Sequence, residues 1–253
     1  MILTIDIGNT NIVFGIADQN EWIKIWRIQT DCSKTADEYE VIFRSLLKNS
    51  KVCLPNIAKM VLSSVVPSLI RPFTEMLIHM LGYSPLLVEP SIYPRLPVKV
   101  LNPYEIGTDL VADATAAFIR YQKPCMVIDF GTAITFTTID QTGEILGVAI
   151  APGLNTALKS LTGSTAQLPD VQLVAPLSVL GKNTINAIQS GLVLGFAGLV
   201  DSIVSRTEAE LGEELTIVAT GGLSAVLFNV SKKIQIIDEN LTLDGLKYMA
   251  DLI

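Results

Sequence analysis

Ile5-Asp6-Ile7-Gly8-Asn9-Thr10-Asn11-Ile12-Val13-Phe14-Gly15 is the stretch on which the reading of this chain turns. Residues 2–7 have the character of a buried strand, and a second apolar run begins at Ile12. Between them lies a turn of glycine, amide and hydroxyl groups. Gly8 allows the backbone to bend where a side chain would clash. The short polar groups of Asn9, Thr10 and Asn11 and the free N–H groups of such a turn can line an anion-binding concavity. Asp6, leading the turn, can hold a metal bound to a phosphate chain, directly or through water. Alone, the stretch also reads as an ordinary hairpin with a polar turn.

The pattern recurs. Ile128-Asp129-Phe130-Gly131-Thr132-Ala133-Ile134-Thr135-Phe136 repeats strand, Asp-x-Gly, hydroxyl turn and strand, and Asp18-Gln19 matches Asp140-Gln141 further on. Asp6 and Asp129 are 123 positions apart (129 − 6), close to half of the 253 residues. A motif repeated half a chain apart implies a duplicated domain, and two such turns facing each other across a cleft can grip a nucleoside triphosphate and its metal from both sides.

Charged residues make up 17% of the chain, against about 25% in ordinary soluble domains, and the mean hydropathy is +0.47. So much apolar sequence implies surface hidden beyond a monomer core, most simply in a dimer. A net charge of −7 without a basic run argues against nucleic acid or an anionic membrane as partner. Cys32, Cys53 and Cys125 are scattered, as suits reduced thiols in a cytosol. His79, the single histidine, falls on an amphipathic helix remote from any nucleophile motif and reads as a helix-surface residue. The N-terminal apolar run, broken by Asp6, has the shape of a strand and not of a signal peptide. The run from Gly191 to Val200 is too short to span a bilayer, so a soluble chain is expected.

In order, residues 1–30 read as strands, with Trp22 to Ile28 alternating at period two. Thr35-Ala36-Asp37-Glu38 is a capping box opening a helix to about Lys48. Val61 to Val66 is a strand, Pro67 starts the helix that carries His79, and Leu86 to Val88 closes a β-α-β unit. A proline-rich connector, Pro85 to Pro103, leads to a helix over Ile106 to Tyr121 with Asp109 near its start. In the second half, Gly143 turns a hairpin whose outgoing strand is Ile145 to Ala151. Gly181 to Glu210 is mostly helical, Ile217 to Ala219 is a strand entering Thr220-Gly221-Gly222 ahead of a helix, and a last helix opens near Thr242.

These motifs resemble those of the type III pantothenate kinases, within the acetate-and-sugar-kinase, actin and chaperone-ATPase superfamily, over nearly the whole chain. Asp6-x-Gly8-Asn9-Thr10-Asn11 is similar to the family's first phosphate motif, Asp129-x-Gly131-Thr132 to its second and Thr220-Gly221-Gly222 to its adenosine motif. Ala151-Pro152-Gly153-Leu154, Ala166-Gln167-Leu168-Pro169 and Gly181-Lys182-Asn183-Thr184 follow in the family's order. The resemblance implies an α/β fold of two duplicated ribonuclease-H-like domains, residues 1–117 and 118–253, with a nucleotide cleft between them, working as a cytoplasmic homodimer. It implies ATP binding by Asp6, Ile7, Gly8, Asn9, Thr10, Asn11, Ile12, Val13 and Thr132, with magnesium accompanying the nucleotide. Asp129 would help hold a monovalent cation, potassium or ammonium. Pantothenate would meet Val100, Gly107, Thr108, Asp109, Leu110 and, from the partner subunit, Thr184. Asp109 falls on the family's catalytic base. A primary hydroxyl is a poor nucleophile, and a carboxylate within reach can take its proton as the bond to phosphorus forms. As a local feature, Asp109 also reads as a helix-start carboxylate favoured by the macrodipole.

Two departures fall on the acceptor side. The family usually reads Gly-Ala-Asp-Arg where this chain has Gly107-Thr108-Asp109-Leu110, and commonly has tyrosine where this chain has Val100. A lost charge-assisted hydrogen bond is worth about 1.5–3 kcal/mol. Three functions stand at this point: a kinase making 4′-phosphopantothenate, the first step of coenzyme A synthesis; a kinase of the same fold for a different small alcohol; and a non-catalytic nucleotide-binding regulator. Asp109 argues against the last, Leu110 and Val100 against the first.

Overall fold

The computed structural model describes residues 1–253 except 20, 49, 51, 164–168 and 170. Residues 166–168 of the Ala166-Gln167-Leu168-Pro169 segment thus lie outside the described residues. The chain forms two compact units: residues 1–116 with 241–253, and residues 117–240.

In the first unit, β1 (Ile2–Ile7), β2 (Asn11–Asp18) and β3 (Glu21–Gln29) form an antiparallel meander, and β4 (Lys59–Ser64) and β5 (Leu86–Leu87) extend it in parallel, in the order β3-β2-β1-β4-β5. α1 (Ala36–Lys48) opens on the expected capping box: the Thr35 backbone N–H donates to Glu38 at 2.8 Å while the Glu38 N–H donates to the Thr35 hydroxyl at 3.4 Å. α2 (Pro67–Leu81) starts at its proline and stops at Gly82, whose φ of +84° suits glycine. Leu3, Ile5, Ile7, Ile12, Phe14 and Ile16 bury one sheet face together with Tyr39 and Phe43 of α1 and Phe73 of α2. The Phe14 and Phe43 rings stack at 4.8 Å.

α3 (Thr108–Tyr121) is built largely of small residues; Val111, Ala112, Ala114, Ala116 and Ala117 are fully buried. α8 (Leu241–Leu252), later in the chain, packs on β1 and β4. Its Thr242 hydroxyl donates to Asp113 of α3 at 2.7 Å, and the Trp22 indole of β3 donates to Asp244 at 3.0 Å. Halving the chain by sequence assigns residues 241–253 to the second domain, whereas they complete the first unit. The sequence pattern of a helix announces an apolar face without saying which sheet that face covers.

The second unit repeats the plan. β6 (Cys125–Phe130), β7 (Ala133–Ile139) and β8 (Ile145–Pro152) form the meander, and β9 (Thr216–Thr220) and β10 (Ile236–Ile237) extend it, in the order β10-β9-β6-β7-β8. Strand for strand this is the first sheet again. α4 (Leu154–Gly163) follows β8 directly, a helix the sequence reading passes over. α5 (Thr184–Gln189) continues through a wider π turn at Ser190–Leu194 into α6 (Gly195–Leu211), and the short α7 (Ser224–Phe228) follows β9.

Val193, Ala197, Val200 and Val204 bury one stripe of the 184–211 helix in the core of this unit. Read as one helix, Thr184–Leu211 is long and apolar enough by length and composition to cross a membrane, with 33% of its most apolar window buried. The helix runs well beyond the Gly191 to Val200 run at both ends, so the shortness of that run does not set its length. His79 is exposed as expected, yet its Nδ1 donates to Glu40 of α1 at 2.6 Å.

Candidate functional site

Each Asp-x-Gly turn closes on the first residue of the following strand, the first turn being one residue longer than the second. The Gly8 N–H donates to the Asn11 carbonyl at 3.0 Å, and the Gly131 N–H to the Ala133 carbonyl at 3.1 Å. The end of the third strand then locks the turn from outside. In the first unit the Thr30 hydroxyl donates to the Gly8 carbonyl at 2.6 Å, and the Thr30 N–H to the Thr10 carbonyl at 3.0 Å. In the second, the Gly153 N–H and the Thr156 hydroxyl both donate to the Thr132 carbonyl, at 3.0 and 2.7 Å. Backbone groups fixed by two sets of bonds need little reorganisation when they meet charge. Asn9 and Thr10 are exposed at the tip, while Ile7 and Ile12 point wholly into the core.

In the parallel pairing of β1 and β4, Asp6 stands opposite Ser63. The buried Ser63 hydroxyl donates to Asp6 Oδ1 at 3.1 Å and lies 2.9 Å from the Thr108 hydroxyl at the start of α3. Through this serine, the first turn is joined to the Gly107–Leu110 segment. Asp109 accepts from the Leu110 N–H at 2.8 Å. Burial raises its carboxyl above the ordinary aspartate value, with that N–H pulling the other way. A β-carbon on Gly107 would collide with Asp109 Oδ1, so only glycine leaves the carboxylate where it is. Tyr93, on the turn Tyr93–Arg95, is pushed up to about 12, first by burial and then by the Asp109 charge. Leu110 is buried and Val100 is half-buried.

In the second unit, β6 and β9 pair Asp129 with Thr220. Gly221, at φ +87°, brings its backbone against the Asp129 carboxylate and Phe130, and its own β-carbon would lie 2.5 Å from Asp129 Oδ1. A carboxylate is a hard-oxygen ligand of the kind that alkali cations and hydrated magnesium accept. Among the described residues no group of three or more metal-ligating side chains occurs. Any cation at Asp129 would therefore draw its remaining ligands from carbonyls, water or phosphate oxygens.

Thr184 lies elsewhere, at the first turn of α5, where the Asn183 side chain caps the Asn186 N–H at 2.9 Å. It lines a cavity of about 550 Å³ with Leu161, Gly181 and Ile188, which holds no residue of the Asp129 turn. The structure thus gathers Asp6, Thr108, Asp109 and Leu110 in one unit and Asp129 with Thr132 in the other, and leaves Thr184 in a pocket of its own. Ser63 and Tyr93 escape the sequence reading. Ser63 could have been found from strand register, which places it beside Asp6; Tyr93 carried no signal in its proline-rich connector.

The family model for type III pantothenate kinase matches residues 2–206. A type III pantothenate kinase of Moorella thermoacetica is 43% identical over 98% of this chain and 97% of its own length. One from Exiguobacterium sibiricum is 40% identical over the same shares. Among solved structures, the activator of the 2-hydroxyisocaproyl-CoA dehydratase from Clostridium difficile aligns over 99% of this chain and 92% of its own, with a TM-score of 0.55 at 13% identity. MreB 5 of Spiroplasma citri aligns over 99% and 96%, with a TM-score of 0.55 at 14% identity. At such identities the likeness is one of fold, the actin-like pair of ribonuclease-H-like domains. With the matching motifs in place from end to end, the chain belongs to the type III pantothenate kinase family, the ATP-dependent kinases that phosphorylate pantothenate in coenzyme A biosynthesis.

Proposed function

We propose that Asp109 is the general base of this pantothenate kinase. It would take the proton of the pantothenate primary hydroxyl while that oxygen bonds to the γ-phosphorus of ATP and the bond to the bridging oxygen breaks, releasing ADP. The observation that carries this reading is the half-buried, upward-shifted Asp109 carboxyl at the start of α3, next to Thr108, whose hydroxyl Ser63 links to Asp6. A base whose proton affinity is raised by burial is better matched to its task than an exposed aspartate. Asp6 to Val13 and Thr132 hold the nucleotide phosphates, with magnesium accompanying them. Asp129 supplies a carboxylate to a potassium or ammonium ion, whose charge offsets that of the phosphates. Val100, Gly107, Thr108 and Leu110 receive pantothenate, and Thr184 reaches it from the partner of a cytoplasmic homodimer. Nucleic acid and membrane have no part in this reading.

The test is ADP release with pantothenate, with and without potassium, in the wild type and Asp109→Asn. The variant should lose about 10²–10⁴-fold in kcat. It should also be the more stable protein at neutral pH. The folded Asp109 binds its proton more tightly than the unfolded one, so its ionisation costs stability as pH rises from 3.8 through the raised folded value. The asparagine variant escapes that cost, and its advantage in thermal midpoint should vanish in acid below 3.8. Unchanged turnover in a folded variant would remove Asp109 from the mechanism.

A further inference from the structure

We propose that Ser63 is a positioning residue whose hydroxyl fixes the direction of a hydrogen-bond chain, Thr108 to Ser63 to Asp6, and so presents the Thr108 oxygen to the alcohol substrate as an acceptor. The proposal rests on the reading of Asp6 and the Gly107–Leu110 segment given above. Ser63 lies on β4 with no exposed surface, opposite Asp6 in the parallel register. Its oxygen is 3.1 Å from Asp6 Oδ1, to which it donates, and 2.9 Å from Thr108 Oγ1. A serine hydroxyl carries one proton. With that proton committed to the carboxylate, the contact to Thr108 can only be made by Thr108 donating. Thr108 then has no proton left for any other group and meets its surroundings through lone pairs alone.

That orientation has a chemical consequence. An acceptor at the start of α3, one residue before Asp109, selects a donor on the incoming molecule, a hydroxyl or an amide N–H. It also ties the helix turn bearing Asp109 to the carboxylate that leads the first phosphate turn. Displacement of either end by a metal-bound phosphate chain is passed along two short bonds, and small misplacements of reacting groups are costly to rate. The duplicated half provides a comparison. Thr220 occupies the same register position beside Asp129 and is likewise buried. A hydroxyl-bearing residue paired with the leading aspartate is therefore common to both copies.

A double-mutant cycle tests the chain. Ser63→Ala, Thr108→Val and the double variant are assayed by ADP release with pantothenate varied at saturating ATP, magnesium and potassium, and their thermal midpoints are recorded. Each single variant should lose about tenfold in kcat/KM for pantothenate. The double variant should fall no more than about twofold below the worse single, because both cut the same chain. T108V should leave the KM for ATP within about twofold, a selectivity that a general loosening of the fold would not produce. Additive losses of about a hundredfold in the double variant overturn the proposal, as does S63A with kinetics within twofold of the wild type. Should S63A not fold, Thr108→Ser against Thr108→Val reads the chain from its other end. T108S keeping activity within about threefold supports it, and equal losses overturn it. Failure of the wild type to release ADP with pantothenate overturns the kinase reading and this proposal together, whereas additivity in an active enzyme overturns the chain alone.

Discussion

With Asp109 as the proposed base, Gly107 carries a catalytic requirement without a matching structural one. A methyl group there collides with the Asp109 carboxylate, the free end of a side chain that can swing aside at little cost to the fold. Gly107→Ala should therefore leave the thermal midpoint within a degree or two while lowering kcat by roughly 10²-fold, the penalty of a base misplaced by an ångström or so. A parallel fall in both would mark the glycine as structural. Leu110 illustrates the opposite limit. It is buried, so restoring the family's arginine would place a guanidinium where a hydrocarbon now packs. At this scale the sequence is read through residue types in patterns, and Asp6, Asp129 and Asp109 stand out because Asp-x-Gly and Gly-x-Asp repeat known arrangements. Ser63 stands in no such pattern. Its meaning comes from the partner strand, 57 residues away along the chain.

The elements followed from periodicity where a segment was long and one-sided. α1, α2, α3 and the 184–211 helix were legible, as was every long strand. α4 was not, because its start coincides with Pro152-Gly153-Leu154, which reads as a turn, and only Leu154 and Leu158 mark its buried face. The joint between α1 and α2 was also hidden. Glu40 is a buried position on an apolar helix face, and the structure pairs it with His79 Nδ1 at 2.6 Å and Arg44 Nε at 2.7 Å. The His79 hydrogen bond, first, and that of Arg44 hold the Glu40 carboxyl below its ordinary 4.5. A depressed acid stabilises the fold above its unfolded value and loses that contribution as pH falls through the folded one. Glu40→Gln should cost about 0.5–1 kcal/mol at neutral pH, small because His79 and Arg44 are both largely solvated. In urea titrations the gap from the wild type should close as pH is lowered past 4.5. A constant gap would assign the effect to packing.

The duplication organises the molecule, and the two sheets differ most at their outer edges. β3 ends the first sheet with Glu21, Lys24 and Arg27, charges that discourage pairing with another strand. β8 ends the second with no charge at all and exposes Leu146, Val148 and Ile150. Leu177, Val179 and Leu180 add further exposed apolar surface in the same unit. Together with the partly covered 184–211 helix, this supports association of two chains through the second unit. Sedimentation at micromolar concentration should give a dimer, and Ile150→Lys should shift it toward monomer without unfolding it. A wild-type monomer would leave Thr184 without a substrate to reach. Duplication itself was legible from two motifs half a chain apart; the asymmetry of the edges required the strand order.

The return of α8 to the first sheet makes that unit discontinuous, interrupted by all 124 residues from 117 to 240. Protein synthesis is directional, and units fold as they emerge. Residues 117–240 form one uninterrupted span and can collapse as soon as the ribosome releases them. The segment ahead of them, although made first, waits without the contacts of α8 to β1 and β4 until residues 241–253 have been translated. The earliest segment to be synthesised is thus the last to be finished. A frameshift near residue 240 would fall far along the message and yet strip the cover from β1 and β4, at the start of the chain.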